Sequence, residues 1–214
     1  VNAVSKLDQL VLTHLDQDHS GGYFSIQHQL PIQQLYSSEK PDLPTQTKFD
    51  YCVQGQRWQW SKTLSIEVLS PKSEQVKWAS HNKNESSCVL YVQLKDGFPY
   101  QNFLLMGDAG WQTEFQLLQD YPNLQVDVLV LGHHGSRHSS AYAFLKALKP
   151  KLAIASAGKF NRYGHPSLIT QARLAQLNIP LITTLQQGSL QFKQQGNQVH
   201  LSYARDHWKW LKRN

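Results

Sequence analysis

Residues Thr13-His14-Leu15-Asp16-Gln17-Asp18-His19-Ser20-Gly21-Gly22 restrict the fold more than any other stretch of the 214-residue chain. Two histidines and two aspartates crowd together directly after the apolar run Leu10-Val11-Leu12. The run reads as a buried strand, so the polar residues fall at its end and in the following turn, where several side chains can converge on one point. Imidazole and carboxylate are ligands that Zn²⁺ and Mn²⁺ accept, and Gly21-Gly22 lets the chain turn tightly into a helix. The competing reading is a polar turn that happens to be rich in His and Asp. Imidazoles so close would repel if protonated, and that favours a metal site.

A chain of this length with 40% hydrophobic residues can bury one sizeable core. Apolar stretches such as Phe103 to Met106 and Val126 to Leu131 are far short of the roughly 18 to 20 residues that cross a bilayer, and no charged n-region with an apolar h-region opens the sequence. A soluble unit without an address is expected. Cys52 and Cys88 are the only cysteines, with no CxxC, so neither a disulfide framework nor a thiolate zinc site is implied. The net charge of +6 favours a polyanionic partner. The segment Arg205-Asp206-His207-Trp208-Lys209-Trp210-Leu211-Lys212-Arg213 interleaves cations with two indoles. That pattern suits phosphates and stacked bases, and equally an amphipathic end that docks its Trp residues on the body.

Tyr23 to Leu30 predicts a short helix ended by Pro31, and Leu35-Tyr36 opens a Pro-rich surface passage. Arg57 to Trp60 and Leu64 to Leu69 alternate as half-buried strands, Lys72 to Asn84 is polar and irregular, and Cys88 to Leu94 with Phe103 to Met106 predicts a hairpin. Trp111, Phe115 and Leu118 lie at helical spacing and predict an apolar face. Strands at Val126 to Leu131 and Leu152 to Ala155 then alternate with a helix marked by Ala141, Phe144, Leu145 and Leu148. A further helix after Pro166, with Leu168, Ala172 and Ala175 on one side, precedes strands at Leu181 to Thr184, Leu190 to Phe192 and Val199 to Tyr203. Hairpins and strand-helix units together predict sheets covered by helices.

Three later segments repeat the delivery of polar groups at a strand end: Gly107-Asp108, Gly132-His133-His134-Gly135-Ser136, and Ala157 to Pro166 with Lys159, Asn161, Arg162 and His165. A two-metal hydrolase needs this inventory, a carboxylate able to bridge two cations and imidazoles on each. Taken singly, Asp108 also reads as a helix cap, and the histidines as structural residues.

On these motifs the chain resembles the metallo-β-lactamase-like domain at the carboxyl end of ComEC-type competence proteins, which bring transforming DNA across the bacterial inner membrane. Thr13 to Gly22 is similar to that family's form of the HxHxDH motif, with Asp16 where the second histidine usually stands. Asn84 to Leu90 resembles its asparagine-and-serine segment, placed where other superfamily members supply a histidine. The resemblance implies an α+β fold, the metallo-β-lactamase-like αββα sandwich, over residues 1–204, lacking its first amino-terminal strands, with 205–214 a basic aromatic tail. It implies two divalent cations, Mn²⁺ or Zn²⁺, held by His14, Asp16, Asp18, His19, Asp108 and one of the pair His133 and His134. Of that pair His133 is placed among the ligands, and His134 with Asp18 and His165 in the catalysis. Arg137, Lys159, Arg162, Arg205, Trp208 and Lys209 are candidates for contacting nucleic acid.

The implied activity is metal-dependent hydrolysis of DNA phosphodiesters, without base specificity, that degrades the strand not taken up. Asp18 would orient or deprotonate water, and His165 would protonate the leaving oxygen or contact phosphate. Implied partners are single- or double-stranded DNA, the membrane channel portion of the same full-length protein and other proteins of the competence machinery, with the domain on the outer face of the inner membrane. Two alternatives stay open, a small-molecule phosphodiesterase on the same fold and a metal-poor domain that binds DNA without cutting it. In either metal-binding reading Asp18, Asp108 and His134 lie close together.

Overall fold

The computed structural model describes residues 4–42, 47–76, 82–158 and 160–205. Strand β1 (Leu7–Leu12) carries the apolar run and ends at the His/Asp turn, which contains α1 (Gln17–Ser20) and leads into α2 (Tyr23–Gln29). β2 (Ile32–Ser37) and β3 (Lys48–Tyr51) follow, and β1, β2 and β3 form a parallel three-stranded sheet. The passage expected to be a surface loop from Leu35 is therefore strand as far as Ser37. Leu35 is fully buried with Leu12, Tyr23 and Ile32, and this burial outweighs the local proline content further on.

β4 (Arg57–Gln59) and β5 (Leu64–Ser70) lead through a short helix α3 (Ser73–Val76), in a stretch expected to be irregular, to β6 (Val89–Leu94) and β7 (Asn102–Leu105). The predicted hairpin is β6 with β7. Then come α4 (Trp111–Asp120), β8 (Val128–Val130), a 3₁₀ turn at Gly132–Gly135, α5 (Tyr142–Leu148), β9 (Leu152–Ala155), α6 (Leu168–Gln176), β10 (Leu181–Thr183) and α7 (Thr184–Gln187). A seven-stranded sheet runs in the order β10-β9-β8-β7-β6-β5-β4, parallel from β7 to β10 and antiparallel from β4 to β7. β11 (Leu190–Gln195) and β12 (Gln198–Tyr203) close the described chain as a hairpin.

The central strands alternate between two cores. Leu104, Leu129, Ala153 and Ala155 face α4, α5 and α6, where Leu117, Phe144, Leu145 and Leu174 are buried. Phe103, Val128, Leu152 and Ile154 face the β11–β12 hairpin, against Leu190, Phe192 and Leu201. Toward the other end of the sheet Val68 and Leu90 meet Val11 of β1. A sheet buried on both faces explains the near-continuous apolar β8 and β9. Helix, sheet, sheet and helix in sequence through the molecule match the expected metallo-β-lactamase-like sandwich.

Three expectations are corrected. Trp111 and Phe115 of α4 are exposed, and the buried side of the helix carries Thr113, Glu114 and Leu117. In α6 the predicted inner face Leu168, Ala172 and Ala175 is the outer one, while Thr170 and Leu174 are buried. Both helices bury polar groups that bond to neighbouring loops, so hydrophobic spacing alone selects the wrong side. Finally, Cys52 and Cys88, whose number and spacing implied no disulfide framework, form a buried disulfide with Cα atoms 5.9 Å apart. The end of β3 and the start of β6 meet there because both flank the packed interface between the two sheets.

Candidate metal centre

The site lies where β1, β7, β8 and β9 end, the side of an open α/β sheet on which ligands commonly bind. Each strand hands over its chemistry at once. β1 leads to Thr13 and His14, β7 to Gly107-Asp108, β8 to His133-His134 and β9 to Ser156. Gly107 (φ 56°) lets Asp108 enter, since a Cβ at that glycine would stand 3.0 Å from side-chain carbons of both Thr13 and Ser87. His133 and His134 both take left-handed backbone, φ 45° and 55°, conformations that cost non-glycine residues free energy and recur at functional sites.

Asp108 sits among four imidazoles and divides its oxygens between them. Its Oδ2 is 3.9 Å from His14 Nε2 and 3.8 Å from His133 Nε2. Its Oδ1 is 2.9 Å from His19 Nε2 and 3.5 Å from His134 Nε2. On the first side, Asp16 Oδ2 adds a contact 3.7 Å from His14 Nε2. On the second, Asp18 Oδ2 lies 3.1 Å from His134 Nε2 and 3.8 Å from His19 Nε2. Asp16 occupies the cap position of α1 with no side-chain bond to the helix, so its carboxylate is not committed there.

The remaining ring nitrogens fix the tautomers. His134 Nδ1 donates to the Ser156 carbonyl at 2.7 Å, which leaves Nε2 of the neutral ring as a lone pair facing Asp18 and, at 3.3 Å, His19 Nε2. Thr13 Oγ1 lies 3.2 Å from His14 Nδ1 and 3.1 Å from His19 Nδ1, and its two lone pairs can accept from both. Ser87 Oγ accepts the Asp108 backbone N–H at 3.1 Å and lies 3.4 Å from His14 Nδ1. The Asn84 side-chain amide is 3.4 Å from His133 Nδ1.

Nitrogen and oxygen lone pairs are thus turned toward one another inside the protein. His14 Nε2 and Asp108 Oδ1 are buried and have no hydrogen-bond partner, a costly state unless a cation gathers them. Two ligands each about 2.1 Å from one ion stand roughly 3 to 4 Å apart, which matches these separations. His14, His19 and Asp108 form one ligand-spaced group, and Asp18, His19 and His134 a second. The residues present therefore fit a divalent cation at Asp108.

Electrostatics favour the ligand form of His14 and Asp108. Burial and the neighbouring His19 lower the pKa of His14, keeping it neutral, the ligand form. Burial opposes ionisation of Asp108, but His19, His134 and His133 outweigh it and hold the carboxyl below its ordinary value. For His19 burial is outweighed by Asp108, Asp18 and Asp16, and its pKa is raised. His165, its ring centroid 5.7 Å from that of His133, is lowered by burial and by His133 and His134.

The structure thus gathers His14, Asp16, Asp18, His19, Asp108, His133, His134 and His165, including the Asp18–Asp108–His134 proximity expected from sequence. His134, assigned from sequence to catalysis, stands within ligand spacing of Asp18 and His19. Among the expected nucleic-acid contacts, the Arg137 guanidinium donates to His138 Nε2 at 3.2 Å, and exposed Arg162 lies beside the His165 loop. Arg205 instead donates to the carbonyls of Leu185 and Gln186 at the end of α7. Lys159, Trp208 and Lys209 lie outside the described residues. Sequence reasoning did not single out Thr13, Ser87 or the Ser156 carbonyl. No sequence signal pointed to Ser87 or Ser156, and for Thr13 there was only its place beside His14.

Comparison with known proteins gives the same direction. The chain is 37% identical over 190 residues to competence protein ComA of Neisseria gonorrhoeae, covering 88% of this chain and 26% of that protein. It is 34% identical over 202 residues to ComE operon protein 3 of Bacillus subtilis (strain 168), covering 89% and 25% respectively. It therefore spans about a quarter of the length of these relatives. A structure assigned as a metal-dependent hydrolase from Parabacteroides distasonis superposes with a TM-score of 0.53 at 13% identity, over 85% of this chain and 77% of that one, a likeness of fold. No family model matches the chain.

Proposed function

We propose, from its likeness to ComEC-type competence proteins over about a quarter of their length, that the chain is a metal-dependent phosphodiesterase acting on DNA, the hydrolytic part of a DNA-uptake machine. The observation that carries the reading is Asp108, one oxygen turned to His14 and His133 and the other to His19 and His134. His14, Asp16 and His133 would hold one cation and Asp18, His19 and His134 the other, with Asp108 between them. Cations there supply acidification of water and neutralisation of charge on the transferring phosphoryl oxygens.

The side chains supply the rest. Asp18, 63% exposed and with its Oδ2 3.1 Å from His134 Nε2, can accept a proton from attacking water. His165 is neutral at neutral pH, and an arriving phosphate would favour its protonated form, so it can pass a proton to the leaving oxygen. Arg137 and Arg162 flank the loops that carry these histidines and would grip backbone phosphates without reading bases. The relatives' names support DNA uptake as the setting, with the membrane channel of the full-length protein and other competence proteins as partners. Among the described residues no helix is long and apolar enough to cross a membrane; as part of such a machine the domain would stand at the outer face of the inner membrane.

The test is cleavage of labelled single- and double-stranded DNA by the purified chain in Mn²⁺, Zn²⁺ or chelator, with bis-(p-nitrophenyl) phosphate as a small-molecule control. Cleavage with Mn²⁺ at least equal to that with Zn²⁺, none in chelator, is the expected result, because the ligands are rich in oxygen. Hydrolysis of the small ester alone would favour a small-molecule phosphodiesterase.

A further inference from the structure

Between β9 and α6 the chain makes a braced loop that ends on the metal centre. Asn161 Nδ2 donates to the Gly158 and His165 carbonyls, both at 3.0 Å, and its Oδ1 accepts the His165 N–H at 2.7 Å. Ser167 N donates to the Gly135 carbonyl at 2.9 Å, tying the loop to the His133–His134 turn. So fixed, the loop nevertheless presents two aromatic rings to water, Phe160 at 91% exposure and Tyr163 at 67%. Folding gains little from rings left in solvent.

The placement of Tyr163 supplies the reason. The Tyr163 ring stacks on His165 with centroids 5.7 Å apart and planes at 20°, and His165 stacks in turn on His134 at 6.3 Å and 26°. Three near-parallel rings thus step outward from the metal centre to solvent. Arg162 lies with its guanidinium carbon 5.0 Å from the Tyr163 ring centroid and donates to its hydroxyl at 2.8 Å. A cation held beside an exposed ring, one step from a phosphodiester-cleaving centre, matches a nucleotide in both its parts, anionic phosphate and flat base.

We propose that Phe160 and Tyr163 form a base-stacking platform for unpaired nucleotides next to the scissile phosphate, with Arg162 on a neighbouring phosphate. The loop makes the centre select single-stranded DNA or a frayed end, since a base inside a duplex has no free face to offer. Stacking is indifferent to base identity, so the selection is for strandedness. This inference rests on the nuclease reading for the class of ligand, but its test requires no turnover.

Binding is measured by fluorescence anisotropy in chelator, with a labelled thymidine oligonucleotide, an abasic strand of equal length and a fully paired duplex. The chain should bind the normal strand about 5- to 100-fold more tightly than the abasic one. Tyr163→Ala should remove most of that difference and Tyr163→Phe should keep it, with circular dichroism confirming that both variants fold. Equal affinity for normal and abasic strands would overturn the platform, as would a Tyr163→Ala loss that is the same for both. Loss of binding to anionic vesicles in Tyr163→Ala, with oligonucleotide binding unchanged, would assign the rings to a membrane surface instead. If the chain cuts DNA yet ignores the bases, the platform alone fails. If it discriminates the bases yet cuts nothing in any metal, the platform stands and the nuclease reading falls.

Discussion

Thr13 orients two histidines with one hydroxyl. Its Oγ1 sits within 3.2 Å of Nδ1 on both His14 and His19, so both rings can turn Nε2 toward Asp108. Thr13→Val keeps the shape and removes the acceptor. Metal affinity should fall about 10- to 100-fold, as measured by competition with a chelating dye, while the thermal midpoint of the metal-free protein changes little. An unchanged affinity would remove Thr13 from the site. The ligand types themselves were legible in the sequence, because His14, Asp16, Asp18, His19 and Asp108 are placed by strand ends that apolar runs announce. Thr13, Ser87 and the Ser156 carbonyl were not, since a hydroxyl or a backbone oxygen looks the same in any turn until the fold puts an imidazole beside it. The placement of His133 and His134 was equally hidden. It depends on two consecutive left-handed residues, which no side-chain pattern encodes.

Helix α4 shows how an element can serve the site at a distance. Glu114 is buried on its inner face and accepts the backbone N–H groups of Ser140 and of Ala141, the latter at 2.8 Å, where the loop from His133 enters α5. Burial pushes the Glu114 carboxyl up to about 7, outweighing those two hydrogen bonds. The folded protein therefore holds a proton that the unfolded chain releases near the ordinary value of 4.5. Its contribution to stability is full below that value, declines as pH rises to about 7, and stays low above it. Glu114→Gln lacks this titration and replaces one acceptor by a donor. Its urea midpoint at pH 5 should lie below wild type by the equivalent of about 1–3 kcal/mol, with the gap narrowing by pH 8. A gap that widens with pH would contradict the assignment. The strands and helices themselves were largely legible from periodicity, whereas the inner faces of α4 and α6 were not. Glu114, Thr113 and Thr170 are buried because loops elsewhere in the chain need their hydrogen bonds, information that a helical repeat of apolar residues does not contain.

For the whole molecule, a two-sheet sandwich converges four strand ends on one edge. The net charge of +6 predicts DNA binding that weakens steeply as salt rises. Removing residues 206–214, which lie outside the metal motifs, should raise KM for DNA more than it lowers kcat. Equal loss in both would tie that segment to the chemistry. The sandwich class was legible because strand-helix alternation and the family motifs agree. The Cys52–Cys88 bridge was not, because it takes the packing of the two sheets to bring residues 36 apart in sequence together. The central claim is that Asp108 stands between two cations, and anomalous scattering from crystals of the chain grown with Mn²⁺ tests it most directly. The account predicts two peaks flanking the Asp108 carboxylate about 3.5–4 Å apart, one beside His14 and His133 and one beside His19 and His134. Crystals of Asp108→Ala should lose at least one of them. No peak at Asp108 in manganese-saturated wild-type crystals, or two undiminished peaks in the variant, would contradict it.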